Sequence, residues 1–227
     1  MAAFSWLVSF AETLLLVATG FCGMIVSICV ALARNGFDGN CILFSEVKWC
    51  NDTALNFTYL GKRGSCHFII VSEVLIAFYA LFYAIYHVCY LVERMKEYHR
   101  LMLPAIVANS VCLICIFVSA CLLSIGFRRF CKSYVSGFIG TPPDDFSCST
   151  VPSWNQHPKC GEFPEHKDFT SNNYYQLFTT SQGAAWFGFL FWCLATAGLV
   201  ARRIMYKPSV GDPTTSDKAP ITGNIVI

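Results

Sequence analysis

The chain has 227 residues, of which 55% are hydrophobic and 13% are charged, and its formal net charge is +2. Soluble domains carry about 25% charged residues, so this composition argues against a soluble protein. A net charge this close to zero gives no indication of nucleic-acid binding. The sequence predicts a multi-pass membrane protein that is in contact with the lipid bilayer.

Four apolar runs are each long enough to cross a bilayer core of about 30 Å. The third is the clearest, because no residue between Arg100 and Arg128 is charged. The runs cover residues 6–33, 68–92, 101–127 and 183–205, and the loops between them cover 34–67 and 127–182. They predict one four-span domain over residues 1–205, followed by a polar, proline-bearing tail at 206–227 that we expect to be disordered.

The first run ends in Ala31-Leu32-Ala33, which is similar to a signal-peptidase site. No basic segment precedes the run, however, and its apolar stretch is longer than that of a typical signal peptide. We therefore expect the run to be retained as the first span.

The thirteen cysteines fall into seven within the apolar runs and six within the two long loops. The six loop cysteines are Cys41, Cys50, Cys66, Cys131, Cys148 and Cys160. An even number confined to two loops indicates disulfides formed in an oxidising compartment, although counting alone does not choose the pairing.

The first loop begins with a turn-rich patch at 35–40, and residues 41–49 and 56–60 have the composition of short strands. It also contains two glycosylation sequons, at Asn51 and Asn56. The second loop has several prolines and little periodicity, so we expect only short regular elements there. The first loop thus predicts a small sheet at the membrane surface.

The cysteines decide the orientation, because the number of basic residues on each side is ambiguous and only their density near the span ends favours one side. Lysines and arginines lie close to the ends of the spans in the connector 93–100 and in the tail, which favours a cytosolic position for both. Six loop thiols and two sequons belong outside the reducing cytosol. We predict that both termini are cytosolic (N-in, C-in), in the plasma membrane or in a secretory or granule membrane.

Glu73 is the costliest residue in the predicted spans, and an acid inside the membrane is a candidate functional residue. The alternative is that Glu73 reaches the interface or forms hydrogen bonds within the bundle. Glu12 lies near the predicted cytosolic edge of the first span, so we expect it at the interface. His87 is about 21 Å from Glu73 along the second span, which is too far for a direct proton relay.

Two further modifications or contacts are predicted at the cytosolic side. Cys89 lies near the end of the second span, where a thiol can be palmitoylated, the alternative being simple burial. The chain ends in Asn224-Ile225-Val226-Ile227, and such an end can add as a strand to a PDZ domain with Ile227 in its pocket. The alternative is an unstructured tail.

Other patterns favour structural interpretations. The C-x-x-C pair Cys112 and Cys115 lies inside the third span, where we expect small apolar packing rather than redox chemistry. The group of His, Cys and Glu at residues 157–166 lies in a disulfide-bearing loop, so we expect no metal. No catalytic triad, P-loop or paired carboxylates occur, and we expect neither a cofactor nor an enzyme. Small residues at helical spacing in the first and fourth spans indicate close helix contacts.

Several segments together resemble the transmembrane protein 179 family, and more closely its B branch. They are 39–44 (GNCILF), 66–68 (CHF), 118–121 (VSAC), 126–131 (GFRRFC), Cys148 and 191–193 (FWC). The resemblance extends over about residues 6–205 and rests on the order and spacing of these segments. It implies a claudin-like fold, an all-α membrane protein with a four-helix transmembrane bundle and a small, strand-bearing, disulfide-tied cap.

The resemblance also implies two disulfides, Cys41–Cys66 and Cys131–Cys148. Cys50 and Cys160 then remain, one in each loop, and we predict that they join. The alternative is two free thiols or intermolecular pairing. Such a family supplies a fold but no activity. We expect a non-enzymatic membrane protein with a structural, adhesive or partner-binding role that includes self-association, and the alternative is an oligomeric channel or an auxiliary channel subunit.

Overall fold

The computed structural model describes residues 2–49, 55–92, 102–138, 147–150 and 173–205. It contains four helices and two strands. In chain order these are α1 (Ala2–Gly36), β1 (Cys41–Trp49), β2 (Leu55–Gly61), α2 (Arg63–Leu91), α3 (Met102–Ser136) and α4 (Tyr174–Met205). Each helix contains a segment long and apolar enough to cross a membrane, so the predicted four-span bundle is confirmed.

The helices extend beyond the predicted spans on the side of the two long loops. α3 continues to Ser136 rather than ending at Phe127, and α4 begins at Tyr174 rather than at Gly183. Hydropathy marks only the part of a helix that lies in lipid, whereas these extensions are amphipathic. Their buried side chains, such as Tyr134, Tyr174 and Phe178, belong to the core cluster that also includes the sheet.

The strands form a two-stranded antiparallel sheet, as the composition of the first loop predicts. Trp49 pairs with Leu55 and Val47 with Phe57, at the end of the sheet where β1 finishes and β2 begins. α1 leads into this sheet through a turn in which the Gly39 amide bonds to the Arg34 carbonyl at 2.9 Å. Gly39 has φ +76°, a conformation that glycine adopts without steric cost.

A bulge interrupts β1 between Cys41 and Val47. Phe44 takes a positive φ of 65° there, and its ring turns towards α3, where it meets Gly126. The Ser45 hydroxyl accepts a hydrogen bond from the Gly61 amide at 2.9 Å and donates one to the Cys41 carbonyl at 3.3 Å. This side chain therefore restores the backbone bonding that the bulge removes.

The bundle is organised around α1, which packs closely against both α2 and α4, while α3 packs against α4 and β1. One core cluster joins the sheet to all four helices, and a second, around Leu16, Ile116 and Trp192, lies further along the bundle. We call the end with the sheet the capped end. The uncapped end is the opposite one, where α2 ends at Leu91 and α3 begins at Met102.

The outward faces of the helices are apolar. Large hydrophobic side chains are exposed along each helix, among them Phe21, Leu75, Phe82, Ile114 and Leu194. A continuous surface of this kind is suited to lipid contact. The helices are therefore embedded in a bilayer, as the composition predicts.

Candidate functional site

Two disulfides fasten the capped end. Cys41–Cys66 links the start of β1 to the first turns of α2, and Cys131–Cys148 links α3 to the segment 147–150. The Cα atoms are 5.7 Å apart in the first pair and 5.3 Å apart in the second, within the usual range. Both pairs are those implied by the family resemblance. Cys50 and Cys160 lie outside the described residues, so their pairing stays a prediction.

Side-chain hydrogen bonds attach β1 to α3. The Val47 amide donates to the Ser133 hydroxyl at 2.9 Å, and the Trp49 indole N–H donates to the Tyr134 carbonyl at 2.8 Å. The Trp49 ring also meets the rings of Tyr134 and Phe138, each edge-on at 5.2 Å between centroids. These contacts attach β1 firmly to α3.

The segment 147–150 is held by two buried tyrosines. The Tyr134 hydroxyl of α3 donates to the Thr150 carbonyl at 2.6 Å, and the Tyr174 hydroxyl of α4 donates to the Cys148 carbonyl. Tyr174 also packs edge-on against Phe37 and Phe130. The second disulfide thus lies where α3, α4 and the turn after α1 meet.

The surface of the sheet carries polar and aromatic groups. Tyr59 on β2 is 46% exposed, and the neighbouring Thr58 hydroxyl donates to the Glu46 carbonyl at 3.1 Å. The Glu46 carboxylate forms an exposed ion pair with Arg129 at 2.7 Å. Asn56, a predicted glycosylation site, lies on β2 opposite Lys48, and Asn51 is outside the described residues. This exposed surface is held rigidly by the bonds beneath it.

Glu73 lies inside the bundle rather than at the interface. Its side chain is 3% exposed, and one carboxylate oxygen, Oε1, is buried and has no hydrogen-bond partner among the described residues. The other, Oε2, lies over α1, where it is 3.5 Å from the position that a β-carbon of Gly23 would take. The Ser119 side chain of α3 is also within reach of the carboxyl group. Glu73 is therefore a buried polar contact among three helices.

Glu12 is also buried, and the expectation that it lies at the interface is wrong. Its Oε2 atom is 3.9 Å from Nδ1 of His87 on α2, and both side chains are about 95% buried. Gly198 on α4 makes room for the carboxyl group, since a β-carbon there would be 2.6 Å from Glu12 Oε1. The predicted span order could have found this pair, because the start of the first span and the end of the second lie at the same side.

The remaining predicted residues are spread over several places. Cys89 is a half-buried free thiol on α2, a position that leaves both palmitoylation and simple burial open. Cys112 and Cys115 on α3 are also half-buried free thiols. Two other predictions fall outside the described residues. They are the PDZ-type end with Ile225 and Ile227, and the His, Cys and Glu group at 157–166, where no metal is expected. Within the described ranges, no three His, Cys, Asp or Glu side chains come together as metal ligands would.

The small residues of the first and fourth spans make contacts within the bundle. A β-carbon at Gly20 would be 3.2 Å from the Leu81 side chain of α2, and one at Gly23 would be 3.3 Å from the Ala77 β-carbon. On α4, a β-carbon at Gly188 would be 3.3 Å from Cys22 of α1. These glycines therefore set the close approach of α1 to its two neighbours.

Comparison with known proteins gives a consistent result. The family model described as Transmembrane protein 179/179B Claudin domain matches residues 8–220. Transmembrane protein 179B of Mus musculus is 26% identical over 208 residues, which cover 89% of this chain and 85% of that protein. The Homo sapiens protein of the same name is 25% identical over 230 residues, covering 95% of this chain and 94% of that protein. No solved structure matches the chain.

Proposed function

Because the chain belongs to the transmembrane protein 179/179B claudin family, we propose that it is a non-enzymatic multi-pass membrane protein that uses its capped end to bind a membrane-protein partner or a second copy of itself. The proposal includes structural and adhesive roles, in which the same surface holds two proteins together. It places both termini in the cytosol and the capped end in the lumen or outside the cell.

The rigid attachment of the sheet to the helices is the observation that carries this proposal. The buried polar groups of the capped end are engaged with the backbone of neighbouring elements, as Trp49 is with α3 and Tyr174 with the segment 147–150. Two disulfides add covalent links at the same place. A surface fixed in this way loses little conformational freedom on binding, which favours recognition of a partner.

The orientation rests on the chemistry of the disulfides. Such bonds persist in oxidising compartments and are rare in the cytosol. The four spans are antiparallel, so a capped end outside the cytosol puts the start of α1 and the end of α4 in the cytosol. The basic residues of the connector, of the end of α4 and of the tail then lie on the cytosolic side, in agreement with the positive-inside rule.

Site-specific photo-crosslinking of the full chain in living cells tests the proposal. A photoreactive amino acid replaces Tyr59, which is exposed on β2, and in a matched variant it replaces Phe82, which is exposed on the apolar face of α2. We expect a protein adduct of defined mass from position 59 and none, or a different one, from position 82. Lipid-only products at both positions would contradict a binding role for the capped end.

The second candidate is a channel or an auxiliary channel subunit. The burial of Glu73, Glu12 and His87 inside the bundle favours it, because ionisable residues within a membrane often line ion pathways. Purified protein in planar bilayers should then carry an ion current that Glu73→Gln alters. Absence of current from folded, disulfide-bonded protein would exclude an autonomous channel and leave the binding role.

A further inference from the structure

α3 and α4 meet along a seam that is open to lipid. We define it by five residues in contact across the two helices: Phe117, Ser124, Gln182, Trp186 and Phe189. Phe117 and Trp186 are exposed, and the other three are half-buried. The proposed partner binding at the capped end does not use this seam, so the two proposals are independent.

The polar groups of the seam use only part of their bonding capacity. A serine hydroxyl has two acceptor lone pairs and one proton to donate. The Ser124 hydroxyl accepts from Gln182 Nε2 and from the Trp186 indole N–H, each at 3.0 Å. Other hydroxyl groups in the spans donate to the carbonyl four residues earlier, as Ser110 and Thr19 do.

Ser124 makes no such bond. Within the described part of the chain its hydroxyl donates to no acceptor, and the Gln182 carbonyl oxygen receives no donor. The first bond between these two side chains holds them next to each other. One donor and one acceptor are therefore available side by side at the seam.

The depth of these groups matches the level of the polar groups of lipids. Ser124 lies four residues before Arg128, which is exposed and is the first charged residue of α3. This is about 6 Å along the helix axis. Tryptophan is enriched at the same level of membranes, because its ring is apolar and its N–H is polar. A polar group of a lipid near the interface can therefore reach Ser124 and Gln182.

Aromatic side chains line the seam below the polar groups. Phe117 lies seven residues before Ser124 on α3, and is two turns deeper in the bilayer. Phe189 lies seven residues after Gln182 on α4, also two turns deeper. The Phe117 ring is 6.4 Å from the Trp186 ring and 5.4 Å from the Phe189 ring, between centroids. The seam thus combines a donor–acceptor pair with an aromatic surface that extends about 10 Å towards the bilayer centre.

This combination fits one class of lipid. An ester carbonyl of a phospholipid accepts hydrogen bonds but donates none, so it would leave the Gln182 oxygen unpaired. A sterol has a single hydroxyl group, which both accepts and donates, on a flat and rigid ring system that loses little freedom on binding. We propose that the α3–α4 seam is a binding site for a sterol. Ser124 donates to the sterol hydroxyl, and the sterol hydroxyl donates to Gln182 Oε1. The sterol rings lie against Phe117 and Trp186.

Photoaffinity labelling of the purified full chain in phospholipid nanodiscs tests the proposal. The probe is a cholesterol analogue that carries a diazirine on its ring system and keeps its free hydroxyl, and peptide mass spectrometry locates the labelled positions. We expect label in the α3 and α4 peptides that contain Phe117 and Trp186, and excess cholesterol should suppress it. Label spread evenly over all four helices, or label that excess cholesterol does not reduce, would overturn the proposal.

Two competitors test the role of the hydroxyl in wild-type protein. Cholestanol and its 3-ketone differ at the oxygen alone, and the ketone accepts hydrogen bonds but donates none. Because the ketone lacks the bond to Gln182, about fivefold more of it should be needed to suppress the label. In Gln182→Leu, which has no acceptor at this place, the two compounds should compete equally. Equal competition in wild type would overturn the proposal.

A matched pair of serine variants tests the donor. Ser124→Ala removes the proposed donor, so we expect the probe to bind about fivefold more weakly. Ser110→Ala removes an exposed hydroxyl of the same helix that is already bonded to the Ile106 carbonyl, and it should label as wild type does. Equal labelling of the two variants would overturn the proposal. If Ser124→Ala does not fold, the two competitors decide the question with wild-type protein.

The same peptides report other occupants of the seam. A photoreactive phosphatidylcholine that labels them and is not displaced by cholesterol would assign the seam to phospholipid. Crosslinks between two copies of the chain at these peptides would assign it to self-association. Either result would overturn the proposed sterol site, whereas displacement of both by cholesterol supports it.

Discussion

The ring of Phe44 lies directly against the backbone of Gly126. A β-carbon at Gly126 would be 2.9 Å from Phe44 Cε2 and 3.0 Å from the Leu43 β-carbon. The bulge that gives Phe44 its positive φ therefore brings β1 onto α3 at a position where only glycine fits. The sheet of this protein is seated on the third helix through this contact.

We expect Gly126→Ala to destabilise the protein. The added methyl group meets the Leu43 β-carbon, which cannot rotate away, so β1 must shift, at a cost of about 1–3 kcal/mol. Thermal unfolding of purified protein measures the effect. The matched control is Gly183→Ala on α4, where nothing lies within 4 Å and the better helix propensity of alanine should leave stability equal or higher. Equal effects of the two substitutions would contradict the contact.

Gly61→Ala should have a larger effect. A β-carbon at Gly61 would be only 1.9 Å from the Leu43 carbonyl oxygen, a backbone atom. The two strands cannot stay paired at this point, so we expect loss of the folded protein and of the Cys41–Cys66 bond. Non-reducing electrophoresis with thiol alkylation reports the bond. Gly64→Ala is the matched control, because nothing lies within 4 Å of a β-carbon at that position, and it should behave as wild type. A normal disulfide in Gly61→Ala would refute the close approach.

Each described disulfide should contribute measurably to stability. The bonds close loops with sequence separations of 25 and 17 residues, and the chain-entropy estimate is about 3 kcal/mol for each. Cys41→Ser/Cys66→Ser and Cys131→Ser/Cys148→Ser should therefore lower the unfolding temperature. Cys121→Ser, which removes a half-buried free thiol of α3, is the control. If complete reduction of the wild-type protein left its unfolding temperature unchanged, this stabilising role of the disulfides would be contradicted.

The third pairing, Cys50–Cys160, can be tested directly by peptide mapping without reduction. We expect a peptide that joins the two loops, because these two cysteines remain when the described pairs are formed. A bridge across more than 100 residues of sequence would stabilise the fold by about 4–5 kcal/mol in the chain-entropy model. Recovery of Cys50 as a free thiol beside a paired Cys160, or of a Cys50–Cys66 peptide, would show that the pairing is wrong.

The sequence predicts the parts of the fold that depend on local pattern. Apolar runs long enough to cross a bilayer indicate the spans, and a turn-rich patch followed by strand composition indicates the sheet. The helix ends at Ser136 and Tyr174 are not predicted in this way, because they depend on the core cluster that the helices form with segments distant in the chain. The bulge at Phe44 is not predicted either, because it goes with a contact between Phe44 and Gly126, which lies on a different element.

The buried pair shows the same limit for the candidate site. Glu12 by itself has the sequence position of an interfacial residue, and its burial follows from His87 on another helix and from the space at Gly198. The disulfides were predicted only through the family resemblance, because six cysteines alone leave many pairings open. Contacts between distant segments thus need either the structure or a known relative.

Mapping of glycans on the full chain expressed in cells tests the proposed orientation most directly. Wild type is compared with Asn51→Gln/Asn56→Gln and with that double variant carrying Pro213→Asn, which creates a sequon with Thr214 and Thr215 in the tail. If the capped end lies outside the cytosol and both termini inside, glycosidase should change the gel mobility of wild type and of neither variant. A glycosidase-sensitive shift in the Pro213→Asn variant, with none in wild type, would contradict the orientation on which the proposed binding surface depends.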